Sequence, residues 1–137
     1  MRSQPYFFVV ILFFLACAEP KQDAQIAEIE KLDSAIMQVH DAVMPKIAKV
    51  LSLRKQLQNK LDSGLVSAQK EQFENATYAL TKADVAMMQW MRNYQIPLKS
   101  DTAIIYLQQQ VLEMNEISEA IYQSIRVADS TLNSLKP

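Results

Sequence analysis

The sequence predicts an all-α fold: an up-down-up antiparallel three-helix bundle of long amphipathic helices, the first kinked near Pro45. Three observations carry that prediction. The 137-residue chain contains one glycine, too few for a turn-rich β architecture. Apolar residues recur at three- and four-residue steps over three long stretches, the spacing of a helix face. Short segments with helix-stopping residues separate those stretches, which favours antiparallel neighbours. With 50% apolar and 21% charged residues, the chain has the composition of one globular domain.

The first element is not part of the bundle. Arg2 precedes an apolar run from Tyr6 to Ala16, too short to span a bilayer and suited to the central region of a signal peptide. Phe14-Leu15-Ala16-Cys17 resembles a bacterial lipobox, with Phe14 standing where leucine is usual. That resemblance implies that residues 1–16 are a lipoprotein signal peptide and that Cys17 is lipidated. Residues 17–25 then form the anchor and a short polar tether, and residues 26–137 the bundle. Several acyl chains hold a membrane firmly where one does so only marginally. Ala18, in place of the aspartate that would retain a lipoprotein at the inner membrane, points to the outer membrane, facing periplasm or surface.

The first helix is read from Ile26 to Leu61, with Ile29, Leu32, Ile36, Val39, Val43, Ile47, Val50, Leu57 and Leu61 on one face. Asp62-Ser63-Gly64 closes it, Gly64 being suited to the left-handed conformation that ends helices. Inside it, Pro45 removes the amide that would bond the Asp41 carbonyl, at a cost of about 3 kcal/mol in a straight helix. A kink or short break around Asp41 to Met44 is therefore expected. The second helix carries Phe73, Ala76, Leu80, Ala83, Met87, Trp90 and Tyr94 in strict three-four alternation and stops before Ile96-Pro97. Ser100 or Asp101 is expected to cap the third. Its seam runs Ile104, Leu107, Val111, Met114, Ser118, Ile121, Ile125, Ala128, Leu132 and Leu135. Helices of roughly 55, 40 and 50 Å follow from the rise per residue. The first and third would overhang the second and expose apolar surface, and the third seam could alternatively serve dimerisation.

Antiparallel pairing of the first two helices sets positions summing to about 128 side by side. Met37, His40 and Met44 of the first helix thus come level with Met87, Met88, Trp90 and Met91 of the second, with Ile104, Leu107 or Gln108 of the third nearby. Thioether sulfur suits Cu(I) and Ag(I), and neutral imidazole is a common partner ligand. Met37, His40, Met44, Met88 and Met91 are the candidate metal ligands, and Trp90 is a candidate aromatic cap over a bound cation. The arrangement looks like the sites of small periplasmic copper and silver chaperones, whose folds are β-rich. A haem held by His40 and one Met would resemble four-helix b-type cytochromes, but three helices leave little room for the macrocycle. The competing reading is plain packing, in which methionines fill irregular gaps and set their sulfur against the Trp90 ring.

Other classes of function find less support. Net charge is −1 with both signs scattered, so no basic patch for nucleic acid is present. One His and one Cys supply neither a multi-histidine zinc site nor an internal disulfide. Nothing assembles a nucleophile, base and oxyanion donor, so no enzyme is expected. Glu113, Glu116 and Glu119 fall off the third seam, as a solvated face does. Asp33-Ser34-Ala35, Asp101-Thr102-Ala103 and Asp129-Ser130-Thr131 match an O-glycosylation pattern of Bacteroidota, although short matches of this kind also arise by chance.

His40-Asp41-Ala42-Val43-Met44-Pro45-Lys46 and Met87-Met88-Gln89-Trp90-Met91-Arg92-Asn93-Tyr94, after a lipobox-like start, resemble uncharacterised small helical lipoproteins of Bacteroidota, often labelled viral A-type inclusion protein. The likeness covers residues 1 to about 94 and leaves the last helix unmatched. It implies lipid anchoring, an envelope location and a helical fold, and no mechanism. The expectation is thus a membrane-tethered, non-enzymatic interaction or structural module that binds an envelope protein or a second copy of itself. The alternative is a Cu(I) or Ag(I) binding or buffering module.

Overall fold

The computed structural model describes residues 20–96 and 102–135. They form three helices, α1 (Pro20–Asp62), α2 (Ser67–Asn93) and α3 (Ala103–Asn133), with no strand among the described residues. No described helix is long and apolar enough to cross a membrane. The expected signal peptide and the lipidated Cys17 lie outside the described residues.

Side-chain pairs fix the packing. Arg54, His40 and Asp33 of α1 meet Asp84, Trp90 and Tyr94 of α2 in turn, so one helix descends as the other climbs. Trp90 and Gln95 meet Gln110 and Tyr106, which makes α3 antiparallel to α2. Lys49 of α1 reaches Asp129 of α3 at 2.6 Å, and every pair of helices is in contact. The three helices therefore run up, down and up around one core.

That core is built mostly from the faces the apolar spacing marks out. Ile36, Val43, Val50, Leu57, Phe73, Leu80, Met87, Leu107, Met114 and Ile121 are fully buried. Burial of each such side chain contributes about 1.5–3 kcal/mol, which is what makes three amphipathic helices one domain. The α2 seam matches its expected residues from Phe73 to Trp90, with Tyr94 half-buried. Two seams are wider than expected. Leu53 is buried in α1, and Ala103, Ile117 and Ser124 are buried in α3, while Ser118 is only half-buried. A helix facing two neighbours buries a broader stripe than a two-stranded seam. Ser124 enters the core because its hydroxyl donates to the Ile121 carbonyl at 2.9 Å, and no buried side-chain polar atom among the described residues lacks a partner.

Three boundary expectations are corrected. Residues 20–25, expected as tether, already belong to α1, which starts at Pro20, where proline's fixed φ and missing amide suit a first turn. Of the kink or short break expected around Asp41 to Met44, the break is absent: α1 runs through Pro45 as one continuous helix of 43 residues, about 65 Å long. Asp41 and Pro45 sit on the exposed face, where water can reach the released carbonyl, while Val43, Ile47 and Val50 anchor both sides in the core. At the third helix, Ser100 and Asp101 lie outside the described residues, and Thr102 occupies the N-cap position.

The first turn behaves as its residues dictate. The Ser63 amide donates to the Asn59 and Lys60 carbonyls, and Gly64 takes φ +85°. A Cβ at Gly64 would meet no atom within 4 Å, so any cost of adding one is a backbone cost. Gly64→Ala is expected to lower unfolding stability by about 1 kcal/mol. Gly64→Asn should lose less. Chemical denaturation of the two variants checks the order. Phe73→Ala, which empties a fully buried site, should cost about 3–5 kcal/mol in the same assay.

Candidate functional site

The end of the α1–α2 groove formed by the last turns of α2 carries the cluster singled out from sequence. Alignment of the pairs His40–Trp90 and Asp33–Tyr94 sets Met37 level with Met91, and Met44 level with Met88. All four methionines are half-buried and pack against the core, and Met87 is wholly inside it. Met37, His40 and Met44 thus lie at successive steps along about 10 Å of α1, opposite the stretch of α2 that holds Met88, Trp90 and Met91. Among the described residues no group of three His, Cys, Asp or Glu side chains is placed to hold a metal ion. Ligation here would therefore rest on thioether sulfur and the one imidazole.

Trp90 organises this layer. It is 4% exposed, and its ring lies between His40, centroid 5.7 Å away at 34°, and Tyr94, stacked at 4.6 Å and 22°. Its indole N–H donates to Gln110 Oε1 at 2.8 Å, which gives the buried donor a partner on α3. Gln110 in turn donates to Glu113 at 2.9 Å. His40 is paired through Nδ1 with the Asp41 carboxylate at 2.9 Å, which leaves Nε2 as its free ring nitrogen.

A second polar group ties the same end of the bundle. The Tyr94 hydroxyl donates to Asp33 Oδ1 at 2.5 Å, and the Tyr106 hydroxyl accepts the Gln95 amide at 3.3 Å. Burial pushes the Tyr94 phenol far above its ordinary value, and the bond to the Asp33 carboxylate and its negative charge push the same way. Sequence reasoning missed this pair, although the helix pairing that matched His40 to Trp90 also brings Asp33 opposite Tyr94. It named Gln108 where Gln110 makes the contact, because α3 meets α2 a few residues later than a tight turn would place it. Glu113, Glu116 and Glu119 are exposed, as a solvated face requires. Asp33 and Asp129, from two glycosylation-like triplets, hold Tyr94 and Lys49.

No protein family, curated protein or solved structure matches this chain. The functional reading therefore rests on its own residues.

Because the folded state favours neutral Tyr94, the stability that preference contributes is complete below the unfolded phenol value near pH 10. It is lost as pH rises above that value towards the folded one. In an absorbance titration of the native protein, one tyrosine's phenolate signal should be delayed until the fold gives way. Tyr94→Phe should remove the delayed fraction and flatten the alkaline loss of stability; an unchanged titration would contradict the Asp33 contact.

Proposed function

We propose that this chain is a non-enzymatic, membrane-tethered lipoprotein of the bacterial cell envelope, working as a helical interaction or structural module. One observation carries the interaction part. The core is closed among α1, α2 and α3, yet Tyr78, Val85, Ile105, Leu112 and Val127 remain exposed, with Tyr78 at 68% and Leu112 at 65%. On α1, Leu51 and Ile26 are exposed as well, but Ile105, Leu112 and Val127 fall together on one arc of α3. Large apolar side chains left together on the surface of a complete domain mark a surface used for contact. The tether part draws on the lipobox-like Phe14-Leu15-Ala16-Cys17. The outer membrane is the location that Ala18 favours.

Cys17→Ser is expected to abolish fatty-acid labelling and to move the protein from the membrane to the soluble fraction. Continued labelling would contradict the anchor. A photo-crosslinker at Leu112 is expected to trap an envelope protein, this chain included, whereas one at exposed Gln58 on α1 should not. No adduct at Leu112 would contradict the interaction reading.

A second reading draws on the Trp90 layer. A carboxylate on one imidazole nitrogen, leaving the other free, is the usual orientation device of metal-binding histidines. With Met37 and Met44 one turn to either side of it on α1, Met91 and Met88 opposite those two, and Trp90 beside it, His40 would serve a Cu(I) or Ag(I) module. Titration with silver(I) should then quench Trp90 emission at one equivalent and stabilise the fold by about 2.7 kcal/mol at a hundredfold excess over Kd. Unchanged silver affinity in a His40→Ala, Met88→Leu double variant would refute that site.

A further inference from the structure

The exposed apolar residues of α3, Ile105, Leu112 and Val127, share one face. At about 100° per residue, Ile105, Leu112, Glu116, Ala120 and Val127 occupy a single arc of α3 about 80° wide. Across from them, Ala79, Ala83 and Ala86 of α2 join Ile117, Ala120 and Val127 of α3 in a shallow groove of ≈ 400 Å³. Small side chains on α2 against larger ones on α3 give the face a recess and a ridge. α2 is about 40 Å long, and two helices together are about 20 Å wide, so the face offers about 800 Å². That is the area per partner of a standard stable interface.

Charge identifies the occupant. Lys82 lines the groove from α2 and Glu116 from α3, and neither has an ion-pair partner among the described residues. The Trp90–Gln110 and Gln95–Tyr106 contacts place Lys82 level with the Glu116 to Glu119 stretch. We propose that this face is the interface of a two-fold homodimer whose axis runs along the bundle. α2 of each chain then lies antiparallel against α3 of the other, and Lys82 of each chain faces Glu116 of its partner twice over. Leu112 of each chain comes near the height of Ala86 of its partner, at the edge of the alanine recess. The same symmetry puts both α1 N-termini at one end, as two copies tethered to one membrane require. The inference rests on reading this face as an interaction surface and names its partner as a second copy.

The test is the mass of the full chain in detergent by sedimentation equilibrium. The wild type is expected to be a dimer well below about 100 μM, since interfaces of this size bind at micromolar Kd or tighter. Lys82→Glu and Glu116→Lys, both at exposed positions, should each weaken the homodimer about tenfold or more while leaving helicity unchanged. Mixed one to one, the two variants should form a heterodimer, because each mutated charge then meets its opposite across the axis. A wild type that stays monomeric to about 100 μM overturns the proposal. So does a dimer that both single variants leave intact with no preference for mixing. A monomer whose Leu112 crosslinks to a different envelope protein removes the homodimer and leaves the interaction reading standing.

Discussion

Trp90 is where all three helices are joined. Its ring is buried on α2, flanked by His40 from α1, and its indole N–H ends on Gln110 from α3. A buried indole donor without a partner would cost about 1–3 kcal/mol, so the Gln110 contact fixes how α3 slides along α2. The Tyr94 stack and its bond to Asp33 fix α1 against α2 one turn further on. Apolar burial supplies most of the stabilisation but has little directional preference along a helix axis. These few directional contacts select one register from several that would bury similar area.

From that register the rest of the surface follows. Lys49 meets Asp129 and Arg54 meets Asp84 because the Trp90 layer sets their heights. Both pairs are at least partly exposed and contribute at most about 1 kcal/mol each, so they report the register more than they enforce it. The faces of α1 turned to its two neighbours are filled. The outer arc of α3 keeps Ile105, Leu112 and Val127 uncovered. Interaction through that arc is the reading proposed for it.

Much of this was legible in the sequence. The period of Phe73 to Trp90 is unbroken, and every member is buried. The register that sets His40 against Trp90 followed from turn position and antiparallel pairing alone. What escaped has physical causes. Leu53, Ile117 and Ser124 enter the core because a helix with two neighbours buries a wider arc than a strict seam. Pro45 was expected to kink or briefly break α1; the helix continues, because one lost hydrogen bond on the exposed face is outweighed by core contacts on either side of it. Propensity is local, and packing overrides it where the proline ring points to water. The contact of Gln110 with Trp90 depends on the length of the second connection, which periodicity does not encode.

A single cooperative core organised around Trp90 is the claim on which the other readings rest. Trp90 is the one tryptophan in the chain, so its fluorescence reports this layer alone, while ellipticity at 222 nm reports all three helices. Urea unfolding followed by both signals tests the claim most directly. Coincident transitions with one midpoint and one slope are predicted, as two-state unfolding requires. A helical signal that persists after Trp90 has become exposed would contradict it, showing that α3 or α1 holds its structure without the layer that is said to join them.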